Sequence, residues 1–103
     1  MSDAHGRYTV IIHDNAANML YAHVRFMAKV DVSAASKLRD ALHNAISSLE
    51  EMPFRCPTYR THKTSDCYHQ LIIGRYKIIF AINHKDKVVS IRYVLDSRQA
   101  NDL

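Results

Sequence analysis

Three cations and a handful of proton carriers are the residues of this 103-residue chain with which chemistry could be done. Lys77, Arg92 and Arg98 can hold an anion, and Tyr59, His62, Tyr68 and His69 carry groups able to move a proton. Together such groups could serve acid–base chemistry on an anionic substrate: a base to take a proton, an acid for a leaving group and cations for developing negative charge. Without the proton carriers, the same cations make a surface that grips an anionic partner. A plainer reading makes Lys77 and Arg92 exposed strand residues and Tyr68 a packing ring. Cys56, His62, Cys67 and His69 run as Cys-x5-His-x4-Cys-x-His, which matches no common zinc module. No glycine loop to cradle phosphate, no Ser-His-Asp arrangement and no DNA-reading helix motif is present, and neither cofactor nor metal is expected.

The elements that must position these residues are read from periodicity. Tyr8-Thr9-Val10-Ile11-Ile12 is β-branched and aromatic, hence a strand. Asp14 or Asn15 then offers an N-cap, and Ala16, Leu20, Val24 and Met27 recur at helical spacing. Val30-Asp31-Val32 breaks the pattern. Ser33 offers a second cap, and Ala35, Leu38, Leu42, Ala45, Ile46 and Leu49 share the face of a second helix, which Pro53 stops. So short a link between helices predicts an antiparallel hairpin, with Met19, Met27 and Met52 at its core or edge. Residues 53–66 carry both prolines and no period, the marks of a loop. Three strand-like runs follow, 67–73, 76–83 and 87–95.

The order is β-α-α-β-β-β, an α+β domain with a helical hairpin packed on a mostly antiparallel sheet. A two-residue turn at Gly74-Arg75 sets Ile73 opposite Tyr76, Ile72 opposite Lys77 and Leu71 opposite Ile78. Alternation then puts Leu71, Ile73, Ile78, Phe80 and Ile82 on the helix face, with His69 as a satisfied, partly buried histidine opposite Phe80. Tyr68, Gln70, Ile72, Lys77 and Ile79 take the other face. On the last strand Arg92 joins Lys77, with Val89, Ile91, Tyr93 and Leu95 turned the opposite way. Arg98, at that strand's end, is expected to bring its charge to the same anion as Lys77.

Length and charge bound the rest. One domain over 8–99 is expected, with disordered tails at 1–7 and 100–103. The start lacks the apolar stretch of a signal peptide and no run reaches the ~20 apolar residues of a membrane span, so the chain reads as cytoplasmic with no membrane contact. Two cysteines fit reduced thiols. The formal charge of +4 is divided unevenly: residues 1–54 carry net −1 and residues 55–103 net +5, which suits an anionic partner.

Several stretches together resemble a known family. They are Ala16-x3-Leu20; Ala35-x2-Leu38-x3-Leu42-x2-Ala45-Ile46-x2-Leu49 running into Met52-Pro53; Leu71–Phe80 with Gly74-Arg75-Tyr76-Lys77; and Val89-x-Ile91-x2-Val94-Leu95-Asp96-Ser97-Arg98-Gln99. In order and separation they resemble the RelE/ParE superfamily of toxins from bacterial type II toxin–antitoxin systems, across residues 8–99. The resemblance implies a toxin held in a hetero-oligomer by a cognate antitoxin. The apolar hairpin residues Leu20, Val24, Met27, Leu38 and Leu42 are its candidate contacts. RelE-like members cut messenger RNA on the ribosome, whereas ParE-like members poison DNA gyrase. In the cutting branch the resemblance makes Lys77 and Arg98 catalytic, with Tyr68 or His62 in support. Only Gln99-Ala100-Asn101-Asp102-Leu103 follow Arg98, without the Tyr or His frequent there in that branch, which favours the ParE-like side. An inactive relative that only binds antitoxin is the third expectation.

Overall fold

The computed structural model describes residues 6–61 and 64–98. It contains β1 (Thr9–Ile12), α1 (Asp14–Ala28), α2 (Val32–Ser47), β2 (Thr58–Thr61), β3 (Thr64–Ile73), β4 (Tyr76–Asn83) and β5 (Val88–Asp96). The sheet order is β1-β5-β4-β3-β2, with β1 parallel to β5 and the other neighbours antiparallel. The α+β class and the helical hairpin are as the sequence predicts. The expected loop is not: it holds β2 and the first residues of β3. A four-residue edge strand, Thr58-Tyr59-Arg60-Thr61, is too short to show a period, although its β-branched and aromatic content suits a strand. Arg7, assigned above to the tail, bridges to Glu51 and pairs with the Glu50 carboxylate at 3.0 Å. The remaining tail residues, 1–5 and 99–103, lie outside the described residues.

Helix ends differ from the expected caps. His13 occupies the N-cap of α1 without a side-chain bond, and Asp14 already lies in the first turn. There its charge faces the helix's positive end. Asp31, not Ser33, caps α2, its carboxylate accepting from the Ala34 N–H at 3.1 Å. Beyond α2 the Arg55 guanidinium donates to the carbonyls of Glu51 (2.6 Å), Met52 (3.2 Å) and Ser48 (3.4 Å), satisfying acceptors that a helix terminus leaves bare. Met52, expected at a core or edge position, is exposed and has a left-handed backbone, φ 49°.

Helices and sheet meet in one core. Ala16 and Leu20 of α1 and Leu42, Ala45 and Ile46 of α2 pack with Ile78, Phe80, Val89, Ile91 and Val94. The β3–β4 register is the predicted one, Ile73↔Tyr76 through His69↔Phe80, with Gly74 at φ 58° in the turn. The β4–β5 register shifts at Ile79/Phe80, pairing Phe80 with Ile91 but Ile79 with Tyr93. Arg92 is the extra residue of this bulge. Past it, alternation is inverted: Val94 and Asp96 face the helices, while Tyr93 and Leu95 face away, opposite to the expectation above.

The second sheet face therefore has a small core of its own. Tyr59, Tyr68 and Ile79 are buried there, with Ala81, Tyr93 and Leu95 packed against them. Sequence alternation marks Ile79 as a residue of the mixed face, yet it is wholly inaccessible. Ile79→Ala should then cost about 2–4 kcal/mol in urea denaturation, as a core deletion does. Ile72→Ala on the same face, where Ile72 is 57% exposed, should stay within about 0.5 kcal/mol. Equal costs would mean that the tyrosines do not form a core.

Candidate functional site

Lys77 and Arg92 stand on the face away from the helices, each over an aromatic ring. The Lys77 ammonium lies 5.6 Å from the Tyr59 ring centre and the Arg92 guanidinium 5.9 Å from that of Tyr68. Tyr93 meets Tyr68 edge-on at 6.3 Å, closing the floor. Cation–π contact fixes where a charged head sits without cancelling its charge. Neither cation has a carboxylate partner among the described residues. This face can hold an anion.

Arg98 takes the other side. Its backbone N–H and its Nη2 both donate to the Asp96 carboxylate at 2.9 Å, with Nε at 3.3 Å. The bulge has turned Asp96 toward the helices, where it is 6% exposed. The Arg98 guanidinium holds the Asp96 carboxyl below the usual carboxylate range against the opposing effect of burial. The pair forms one wall of a cleft of about 600 Å³ whose other walls are Met19, Ala22, His23 and Phe26 of α1 and Tyr76 of β4. His23 Nε2 is 2.8 Å from the Val94 carbonyl. A carbonyl only accepts, so that nitrogen carries the proton. The imidazole also packs on Tyr76, ring centres 5.2 Å apart.

The structure thus joins Lys77 with Arg92 and Tyr68, and separates both cations from Arg98. His69 is the satisfied histidine expected, 3.0 Å from the Cys56 carbonyl and stacked on Phe80. Burial pushes the Cys56 thiol up. His62 lies outside the described residues. Of the candidate antitoxin contacts, Leu20 and Leu42 are buried in the core and Val24, Met27 and Leu38 are half-buried against it or within the hairpin. The core stripe of a helix is by construction its hidden side, and so offers a partner little. What the periodicity also carried, and the stripe obscured, is a second apolar run on α1: Met19, Ala22 and Phe26.

Asp96 makes stability depend on pH. Its folded carboxyl titrates lower than the ordinary value of about 3.9, so its contribution is fully present above that pH and is lost as pH falls through the lowered folded value. Asp96→Asn should be less stable than the wild type in urea at pH 7, and the gap should shrink as pH falls below about 3.9 and through the lowered folded value. A gap that persists at low pH would mean that packing, not charge, accounts for the residue.

No helix among the described residues is long and apolar enough to cross a membrane. Comparison with curated proteins finds no match. Among solved structures, the RelBE2 toxin–antitoxin complex from Mycobacterium tuberculosis contains a similar chain. Its TM-score is 0.61 at 18% identity, over 88% of this chain and 92% of that one. The RelE–RelB complex from the archaeon Pyrococcus horikoshii contains another, TM-score 0.51 at 22% identity, over 91% and 99%. At these identities the likeness is one of fold. A family model, the ParE toxin of the type II toxin–antitoxin system parDE, matches residues 10–101. The chain belongs to the ParE toxin family of type II toxin–antitoxin systems.

Proposed function

We propose that this protein arrests bacterial growth by binding DNA gyrase, with no cleavage chemistry of its own, and that a cognate antitoxin neutralises it. The observation that carries the choice of target is the separation of Lys77 from Arg98. A phosphorane needs its cations gathered around one group with a base and an acid in reach. Here Arg98 is tied to a buried carboxylate on the helix side of the sheet, and Lys77 and Arg92 stand on the other side. Two cations held over a tyrosine floor, with no carboxylate partner among the described residues, suit recognition of an acidic surface on a protein target. The family match to a ParE toxin agrees with this reading, and the complexes in which the two structural neighbours were solved support a protein antitoxin.

Induction of the protein alone should stop growth, and co-expression of the neighbouring reading frame should restore it. Purified protein should block supercoiling of plasmid by gyrase while messenger RNA in a translating extract stays intact. Lys77→Ala with Arg92→Ala should weaken inhibition by about tenfold, chiefly through slower, less salt-sensitive association. Codon-phased cuts in translated RNA with gyrase unaffected would establish the ribosomal alternative instead.

A further inference from the structure

The two edges of the sheet are guarded unequally. β2, at one edge, carries the exposed Arg60 and a shift in its register against β3 between Tyr59 and Thr61. A charge and an irregular strand are ordinary guards against pairing with another chain. β1, at the other edge, reads Thr9-Val10-Ile11-Ile12 in one unbroken register with β5, with no charge and no proline. Ile11 is 46% exposed and Ile12 37%, so two large apolar side chains stand on that edge.

The backbone groups that β1 leaves open follow from its own bonds. Thr9 and His13 donate their N–H groups toward β5, to the carbonyls of Lys87 (2.8 Å) and Ile91 (3.0 Å). Tyr8 donates the other way, to the Glu50 carbonyl at 2.8 Å. Successive residues of a strand aim their backbone groups at opposite edges, so Ile11 goes with Thr9, and Val10 and Ile12 point outward with Tyr8. Among the described residues the N–H and C=O groups of Val10 and Ile12 have no backbone partner.

The open window is short and matches β1 itself. At one end Glu50 and Glu51 already flank Arg7 and Tyr8, and at the other the chain leaves the sheet where α1 begins at Asp14. An antiparallel copy of β1 centred on Ile11 sets Val10 opposite the partner's Ile12 and Ile11 opposite the partner's Ile11. Each Val10–Ile12 pair exchanges two N–H···O bonds, which uses every open donor and acceptor of both strands. The register also keeps helix-side residues beside helix-side residues and Ile11 beside its equal. The partner strand turns into its helix at His13, opposite Thr9, just before it would reach Glu50. Charges at the ends match as well. Arg7 comes toward the partner's Asp14, which has no cationic partner among the described residues, and the exposed Glu51 comes toward the positive end of the partner's α1.

We infer that β1 pairs antiparallel with the β1 of a second copy of this chain, joining two five-stranded sheets into one. Both Lys77–Arg92 faces then lie on the same side of the joined sheet. Four residues a side bury well under the ~1,200 Å² of a stable interface, so the dimer is reversible, with a dissociation constant on the order of tens of micromolar. The inference does not rest on the toxin reading.

Sedimentation of the purified protein, free of any other chain, tests it. The wild type should pass from monomer to dimer between about 1 and about 500 μM. Ile11→Lys, which sets two like charges face to face on the axis, should stay monomeric with an unchanged circular dichroism spectrum. Hydrogen exchange of the wild type at the higher concentration should slow at the Val10 and Ile12 amides. In a Cys67→Ser background, which removes the exposed native thiol, Ile11→Cys should form a disulfide with its own copy on oxidation. Directly opposed residues of a non-hydrogen-bonded pair have Cα atoms ~4.5 Å apart, within disulfide reach. Thr9→Cys should not cross-link, since this register holds the two Thr9 Cα atoms ~14 Å apart. A monomer at about 500 μM, a dimer that Ile11→Lys leaves intact, or equal cross-linking at Thr9 and Ile11 would each overturn the proposal.

Discussion

The extra residue at Arg92 decides which side of the sheet each later residue faces. A strand assigns faces by alternation, so inserting one residue reverses every assignment beyond it. Without the bulge Val94 would point to solvent, and Tyr93 and Leu95 would crowd the helices. With it, Val94 completes the core under α1, Tyr93 closes the tyrosine floor, and Asp96 turns inward to hold Arg98. Both candidate surfaces, the cationic face and the α1 cleft, follow from that one shift in register.

The legible parts of the fold were those where one period runs unbroken. Between His69 and Phe80 a two-residue turn with Gly74 in the left-handed region leaves a single register that hides Ile78 and Phe80, and the pairing and the setting of His69 follow from it. The helical stripes are equally plain. What escaped depends on contacts distant in sequence. The bulge has no local signature, because Ser90-Ile91-Arg92-Tyr93-Val94 reads as ordinary alternation. The β2 strand exists because β3 offers it an edge. Asp31 outcompetes Ser33 as a cap through the geometry of the interhelical turn, in which Val32 opens the helix. The candidate site was half legible: the cations were identifiable by type, but whether two of them share a face depended on the bulge.

Cations on the two sides of the sheet are held by different means, and the difference has physical content. Lys77 and Arg92 rest on tyrosine rings, whose attraction is worth about 0.5–1 kcal/mol at exposed sites and leaves the full positive charge directed outward. Arg98 is held by a buried carboxylate through several hydrogen bonds, which fix the guanidinium and cancel its field. The first arrangement preserves long-range attraction for an anion. The second removes it.

That cancellation suits a wall beside an apolar groove. An unpaired guanidinium there would lose part of its hydration to the apolar side chains of α1 around it, at a cost in free energy. A guanidinium already bound to Asp96 has given up part of that hydration during folding, and Asp96 itself is buried before any partner arrives. The charges left fully hydrated, Arg25 and Lys29, lie on the exposed flank of α1, away from that wall. The division of labour is thus set by folding: the bulge selects the carboxylate's side, the carboxylate quiets the arginine, and the helix leaves Ala22 and Phe26 exposed beside a neutral wall.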